Sequence, residues 1–163
     1  MARKPMPIEQ ILPLLSETPQ RIAALIAGLS PAQLRTASDH DEWSANDVLA
    51  HLRSCADVWG GCIATILAED HPTIRAVDPR TWMQQTEYPE LEFEPSFRAF
   101  TAQRDELLAV LEALPSKDWS RGATVTGAGS PLERTVHSYA AWLARHERSH
   151  YRQFGRIIEA VSA

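Results

Sequence analysis

Apolar residues recur at helical spacing in four stretches of the chain, and no stretch of comparable length alternates convincingly with the period of two expected for a half-buried strand. The first run carries Ile8, Ile11, Leu12, Leu15, Ile22, Leu25, Ile26 and Leu29, interrupted by Pro13 and Pro19. An interior proline removes a backbone donor and crowds the preceding turn. The pattern therefore predicts a short helix followed by a second that starts with Thr18 as N-cap and Pro19 at the first helical position. Ser30-Pro31 repeats this start signal for one turn through Leu34, and residues 35–43 are polar and irregular. Ser44, with Asp47 three residues on, opens a helix to about Ala68 through a carboxylate variant of the capping box.

From Glu69 to Glu94 the chain carries Pro72, Pro79 and Pro89 and reads mainly as a long connection, in which Asp78-Pro79 could cap one turn containing Trp82. Helical spacing returns over Pro95 to Leu114 and stops at Pro115. Gly122 to Gly129 reads as a hairpin or a plain loop. Ser130, Pro131 and Glu133 then form a complete start signature for a last helix reaching about Ala160. Four substantial helices predict an all-α fold, a four-helix bundle occupying residues 1–163 as a single domain. About 25 residues between the second and third helices are enough to cross the bundle, which favours an up-down-down-up order.

Composition narrows the class. Apolar residues make up 44% of the chain and charged residues 23%, enough to bury a core, and the formal net charge is −5. That balance disfavours a grip on nucleic-acid phosphates. No run approaches the roughly 18–20 apolar residues of a membrane span, and Met1 to Pro7 lacks the apolar run of a signal peptide, so the cytoplasm is the expected compartment. Cys55 and Cys62 fall on one expected helix with Cα atoms roughly 10.5 Å apart, too far to bridge, and read as reduced thiols.

Candidate chemistry lies in the histidines. On the last helix Val136, Tyr139, Leu143, His146, His150, Phe154 and Ile157 share one stripe, and on the second His51 shares a stripe with Val48, Leu52 and Cys55. Two imidazoles one turn apart on an apolar face leave four nitrogens to satisfy, and a divalent metal does so directly. Residues four apart have Cβ atoms about 5–6 Å apart, which lets both rings converge on one ion. His51 would complete three protein ligands and leave an open position, the arrangement of a catalytic site. Core histidines satisfied by ordinary hydrogen bonds are the competing reading. Cys55 could be a fourth ligand and is more simply a pocket-lining thiol. Glu147 could orient a ligating histidine, although a solvent-facing position is favoured. His40 and His71 fall in connections, and His137 lies beside the stripe. Trp59, Trp82 and Trp142 could line a pocket mouth but are more ordinary as core or interface residues. No phosphate-cradling glycine loop and no nucleophile elbow is present.

The segments Glu42-Trp43-Ser44 with Val48-Leu49-Ala50-His51-Leu52, and His146-Glu147-Arg148-Ser149-His150-Tyr151-Arg152-Gln153, together resemble the signatures of the DinB-like (DinB/YfiT) superfamily; Arg104 to Leu108 resembles its weaker third-helix pattern. The resemblance covers about residues 15–158. It implies an up-down-down-up bundle, often a homodimer, holding a zinc, nickel or iron ion on three histidines, which map to His51, His146 and His150. It also implies thiol-dependent S-transferase chemistry in detoxification or stress response, with bacillithiol, mycothiol, glutathione or a similar low-molecular-weight thiol as cosubstrate, or a maleylpyruvate isomerase activity. Relatives that make ergothioneine carry a second catalytic domain, for which 163 residues leave no room. The expected partner is a small-molecule substrate, with neither nucleic acid nor membrane. A metal-assisted hydrolase and a non-catalytic metal-binding or dimerisation module of the same fold are the alternatives.

Overall fold

The computed structural model describes residues 4–38 and 42–162. Four long helices, α1 (Ile8–Ile26), α3 (Ala45–Ala68), α5 (Phe93–Ala113) and α6 (Val136–Ser162), form the bundle; α2 (Pro31–Leu34) and α4 (Pro79–Gln84) are short. Side-chain pairings give the directions. Asn46 meets Leu91, Arg53 meets Ser96 and Asp57 meets Gln103, so α3 and α5 run parallel. Trp59 meets Trp142 whereas His51 meets His146, so α3 and α6 run antiparallel. Met6 meets His137 and Arg21 meets Tyr151, which sets α1 parallel to α6. The order is up-down-down-up, as expected from the long connection. No helix among the described residues is long and apolar enough to cross a membrane.

Helix α1 departs from expectation, because it runs unbroken through both prolines instead of restarting at Thr18. Pro19 has no N–H, so the Leu15 carbonyl loses its helical partner. Arg104, from α5, donates Nη1 to that carbonyl at 2.9 Å and replaces the missing bond. Thr18 is not a cap; its hydroxyl donates back to the Leu14 carbonyl at 2.9 Å. The helix thereby keeps one buried face, Ile11, Leu15, Thr18 and Ile22.

Both caps expected at Ser30 and Ser44 are present. Ser44 Oγ accepts from the Asp47 backbone N–H at 3.2 Å, and Asp47 Oδ2 accepts from the Ser44 N–H at 3.0 Å. Ser44→Ala should therefore cost about 1 kcal/mol, read as a lowered urea midpoint with an unchanged slope. An unchanged midpoint would show that tertiary packing alone sets this helix start.

The chain is not purely helical. Strands β1 (Thr73–Arg75), β2 (Gly122–Thr126) and β3 (Leu132–Thr135) form a small sheet in that order, β1 parallel and β3 antiparallel to β2. Alternate residues of β2, Ala123 and Val125, enter the core. Gly122 allows a close approach, since a Cβ there would lie 2.8 Å from the Arg134 carbonyl oxygen. The sheet also displaces the expected helix start: Leu132 to Thr135 pair with β2, and Glu133 accepts from the Thr124 hydroxyl at 2.7 Å instead of capping a helix. Helix α6 begins at Val136, where Thr135 and Ser138 cap each other's backbone N–H groups at 3.0 and 2.8 Å. Gly155 does not interrupt it. The expected turn around Trp82 is α4, capped by Asp78, and α5 starts two residues before Pro95.

Two apolar clusters fill the bundle. One contains Leu15, Cys55, Leu108 and Ala144, and the other Ile22, Leu52, Phe100 and Phe154. Between these levels each long helix places polar groups: Thr18 on α1, His51 on α3, Arg104 on α5, and His146, Glu147 and His150 on α6. This polar layer is the candidate site.

Candidate metal centre

Helix α3 delivers His51, which is 4% exposed, and Cys55 one turn later; α6 delivers His146 and His150 one turn apart. Because α3 and α6 are antiparallel, the three imidazoles meet edge to edge. His51 Nε2 lies 3.2 Å from His146 Nε2, and His150 Nε2 lies 3.1 Å from the same atom. Cys55 Sγ is 3.6 Å from His51 Nε2. Trp43 packs on His51 at 5.1 Å between ring centroids, and Trp59 meets His146 edge-on at 5.1 Å while stacking on Trp142 at 4.7 Å.

The protonation pattern follows from the partners. Gln153 Oε1 can only accept, so at 2.7 Å it accepts a hydrogen bond from His150 Nδ1–H, and whenever that ring is neutral its lone pair sits on Nε2, the atom that faces His146. Burial, followed by the neighbouring His150, lowers His51 to about 4 and His146 to about 3, which keeps both rings neutral near pH 7. Neutral imidazole is the ligating form. Burial also pushes the Cys55 thiol up, with Glu147 adding to the effect.

Three nitrogens facing one another cannot all be satisfied by shared protons. A tetrahedral ion at roughly 2.0–2.1 Å from each nitrogen separates ligand atoms by about 3.3 Å, close to the 3.1 and 3.2 Å found here. The donor atoms of His51, Cys55 and His146 also lie within 4.8 Å of one another. The Nδ1 atoms of His51 and His146 are buried without a hydrogen-bond partner among the described residues. The residues present thus fit a divalent ion.

Glu147 corrects the sequence reading. It is neither solvent-facing nor bonded to a histidine; it is 1% exposed and forms a two-armed ion pair with Arg104, one arm from Nη1 to Oε1 at 2.8 Å and the other from Nη2 to Oε2. Arg104 itself is 2% exposed, and its place between Phe100 and Leu108 on the apolar stripe of α5 was the signal for it. This pair ties α6 to α5 and α1 directly behind the histidines.

The long connection also contributes. Arg80 of α4 lies over the Trp43 ring at 5.4 Å. Asp57 anchors the segment by accepting from Trp82 Nε1 at 3.0 Å, the Tyr88 hydroxyl at 2.6 Å and Gln103 Nε2 at 2.8 Å. Of the other histidines, exposed His71 pairs with Glu133 at 3.0 Å, His137 donates Nε2 to the Met6 carbonyl at 2.6 Å, and His40 lies outside the described residues. A cavity of about 570 Å³ between the N-terminal segment and α6, walled by Trp142, reaches His146. Cys55 and Cys62 are free thiols.

Comparison with known proteins places this geometry. A protein from Geobacillus thermodenitrificans named as a metal-dependent hydrolase is 24% identical over 147 residues, covering 85% of this chain and 79% of its own. YfiT from Bacillus subtilis, described as a metal-dependent hydrolase with an unusual four-helix bundle topology, superposes with a TM-score of 0.74 at 17% identity, covering 96% of this chain and 90% of its own. A Streptococcus pneumoniae protein superposes with a TM-score of 0.66 at 10% identity, covering 96% and 94%. The family model described as the DinB superfamily matches residues 14–154, a span that takes in the histidine cluster on α3 and α6 and the arginine–glutamate pair behind it, so the chain belongs to the DinB superfamily.

Proposed function

We propose that the chain is a divalent-metal-dependent enzyme whose zinc, nickel or iron ion is held by His51, His146 and His150. Its preferred reaction is transfer of a low-molecular-weight thiol to an electrophile in detoxification or stress response. The observation that supports this best is the convergence of three imidazole Nε2 atoms in steps of 3.1 and 3.2 Å, one of the three residues, His146, also lining a cavity of small-molecule size. An ion bound there supplies Lewis acidity, which lowers the pKa of a thiol or water in its open position. The protein's own part is orientation: Gln153 fixes the His150 tautomer, and Trp43 and Trp59 pack against the rings and limit water. Arg104 keeps Glu147 engaged, so that carboxylate stays out of the site.

Hydrolysis, with water in place of the thiol, is the second reading and is favoured by the names of the Geobacillus and Bacillus relatives. Protein purified without a histidine tag and analysed for metals should carry about one divalent ion per chain, and should conjugate an electrophile such as monobromobimane faster with thiol than the uncatalysed mixture. Metal with ester or amide cleavage but no thiol dependence would select the hydrolase. Absence of stoichiometric metal would overturn both and leave a non-catalytic module.

A further inference from the structure

The cavity that reaches His146 has a neighbour of about 590 Å³ along α6, lined by Lys4, Gln10, Arg145, Arg148, Ser149 and Arg152. The two cavities share Pro5, Met6 and Arg145, so they adjoin at the N-terminal segment and together make a cleft along α6. Its charge is lopsided. Together the cavities draw Lys4, Arg134, Arg145, Arg148 and Arg152, and among the described residues no carboxylate lines either. Arg145, Arg148 and Arg152 follow the i, i+3, i+7 spacing of one helix face, are exposed, and form no ion pair among the described residues. Holding these like charges together costs self-repulsion in a chain whose net charge is −5. Guanidinium groups present forked donors matched to carboxylate and phosphate oxygens. At the other end of the cleft the surface is aromatic: Trp142 is 41% exposed, stacks on Trp59, and carries the Arg134 guanidinium 5.4 Å above its ring.

We propose that this cleft is the substrate subsite and takes a small anionic molecule. Its carboxylate or phosphate is held by Arg148 and Arg152 with Lys4 and Arg145, its planar apolar body lies against Trp142, and its reactive end is presented at His146. The concave shape, of the size that small-molecule sites have, favours such a ligand over a nucleic acid or a membrane surface. The inference rests on the metal-site reading only for which end of the ligand reacts.

Binding of 1-naphthyl phosphate, 1-naphthoate and neutral 1-naphthol to the whole protein, followed by calorimetry before and after chelator treatment, tests it. The two anions should bind at least about tenfold tighter than naphthol, and Arg148→Gln and Arg152→Gln should each weaken the anions about tenfold while leaving naphthol unchanged. The preference between phosphate and carboxylate identifies the headgroup. Added salt should weaken the anions alone. Equal binding of naphthol, unchanged anion affinity in both variants, or duplex DNA or anionic vesicles displacing the anions at lower concentration would overturn the proposal. Metal content separates the two readings: protein that carries no stoichiometric metal before chelation yet binds naphthyl phosphate through the arginines sinks only the metal assignment, and metal-loaded protein without arginine-dependent binding sinks only this one.

Discussion

Replacing Arg104 with Met should destabilise the protein by about 3–5 kcal/mol, a large part of the roughly 5–15 kcal/mol that holds a domain of this kind together. Three interactions are lost at once. The guanidinium donates two arms to Glu147 and one bond to the Leu15 carbonyl, all at positions sealed from water. The substitution leaves a buried carboxylate without a counter-ion, and the desolvation cost of that group dominates the loss. Exposed pairs such as Arg21–Glu17 and Arg98–Glu94 should by contrast contribute no more than about 1 kcal/mol each. Removing the orphaned charge as well, in Arg104→Met with Glu147→Leu, should restore much of the stability, because an apolar pair of similar volume avoids desolvation altogether. Full recovery is not expected while Pro19 leaves the Leu15 carbonyl unpaired. Pro19→Ala should therefore help more in the Arg104→Met background than alone, a coupling that a double-mutant cycle reads directly. Urea denaturation followed by circular dichroism supplies all of these values. A loss below about 1 kcal/mol for Arg104→Met would mean that water reaches the pair and that it behaves as a surface bridge.

The same residue shows where the sequence could be read and where it could not. The starts of α2 and α3 were legible because Ser30 and Ser44 act within three residues of themselves. The continuity of α1 was not, because the group that replaces the hydrogen bond Pro19 cannot make, Arg104 on α5, sits 89 positions from the Leu15 carbonyl it serves. The sheet escaped for a related reason: β1 has only three residues, and its pairing with β2 depends on segments separated by the whole of α4 and α5. Ser130, Pro131 and Glu133 carry a valid helix start, but the cross-strand ladder to β2 competes for the same backbone groups and wins. The histidine stripes were readable because helical periodicity is local. That His51, His146 and His150 meet follows from the antiparallel packing of α3 on α6, which the structure supplies. The role of Glu147 was misread because its partner, Arg104, is a buried cation 43 positions away on α5, beyond the reach of local periodicity.

His146→Ala should abolish stoichiometric metal binding while the bundle still folds. His146 is the middle of the cluster, with its Nε2 within 3.2 Å of both other imidazoles, so its removal leaves two nitrogens that no longer share a neighbour. Alanine suits the helix, and the ring is only partly buried, so the structural cost is small compared with the chemical one. Losing an outer partner of a metal ligand typically costs 10–100-fold in affinity. Gln153→Ala, which removes the acceptor for His150 Nδ1, should fall in that range, and His146→Ala should lie beyond it. The contrast between the two variants separates a ligand from a positioning residue. Cys55 adds a third arm, since its Sγ is close enough to His51 to be either a ligand or a lining group. Cobalt-substituted protein should lack a thiolate-to-metal charge-transfer band in the absence of added thiol, and Cys55→Ala should leave metal content unchanged. A charge-transfer band that disappears in Cys55→Ala would instead make Cys55 the fourth ligand and close the position that the proposed chemistry needs open. His146→Ala protein that retains one tightly held ion per chain would overturn the three-histidine assignment altogether.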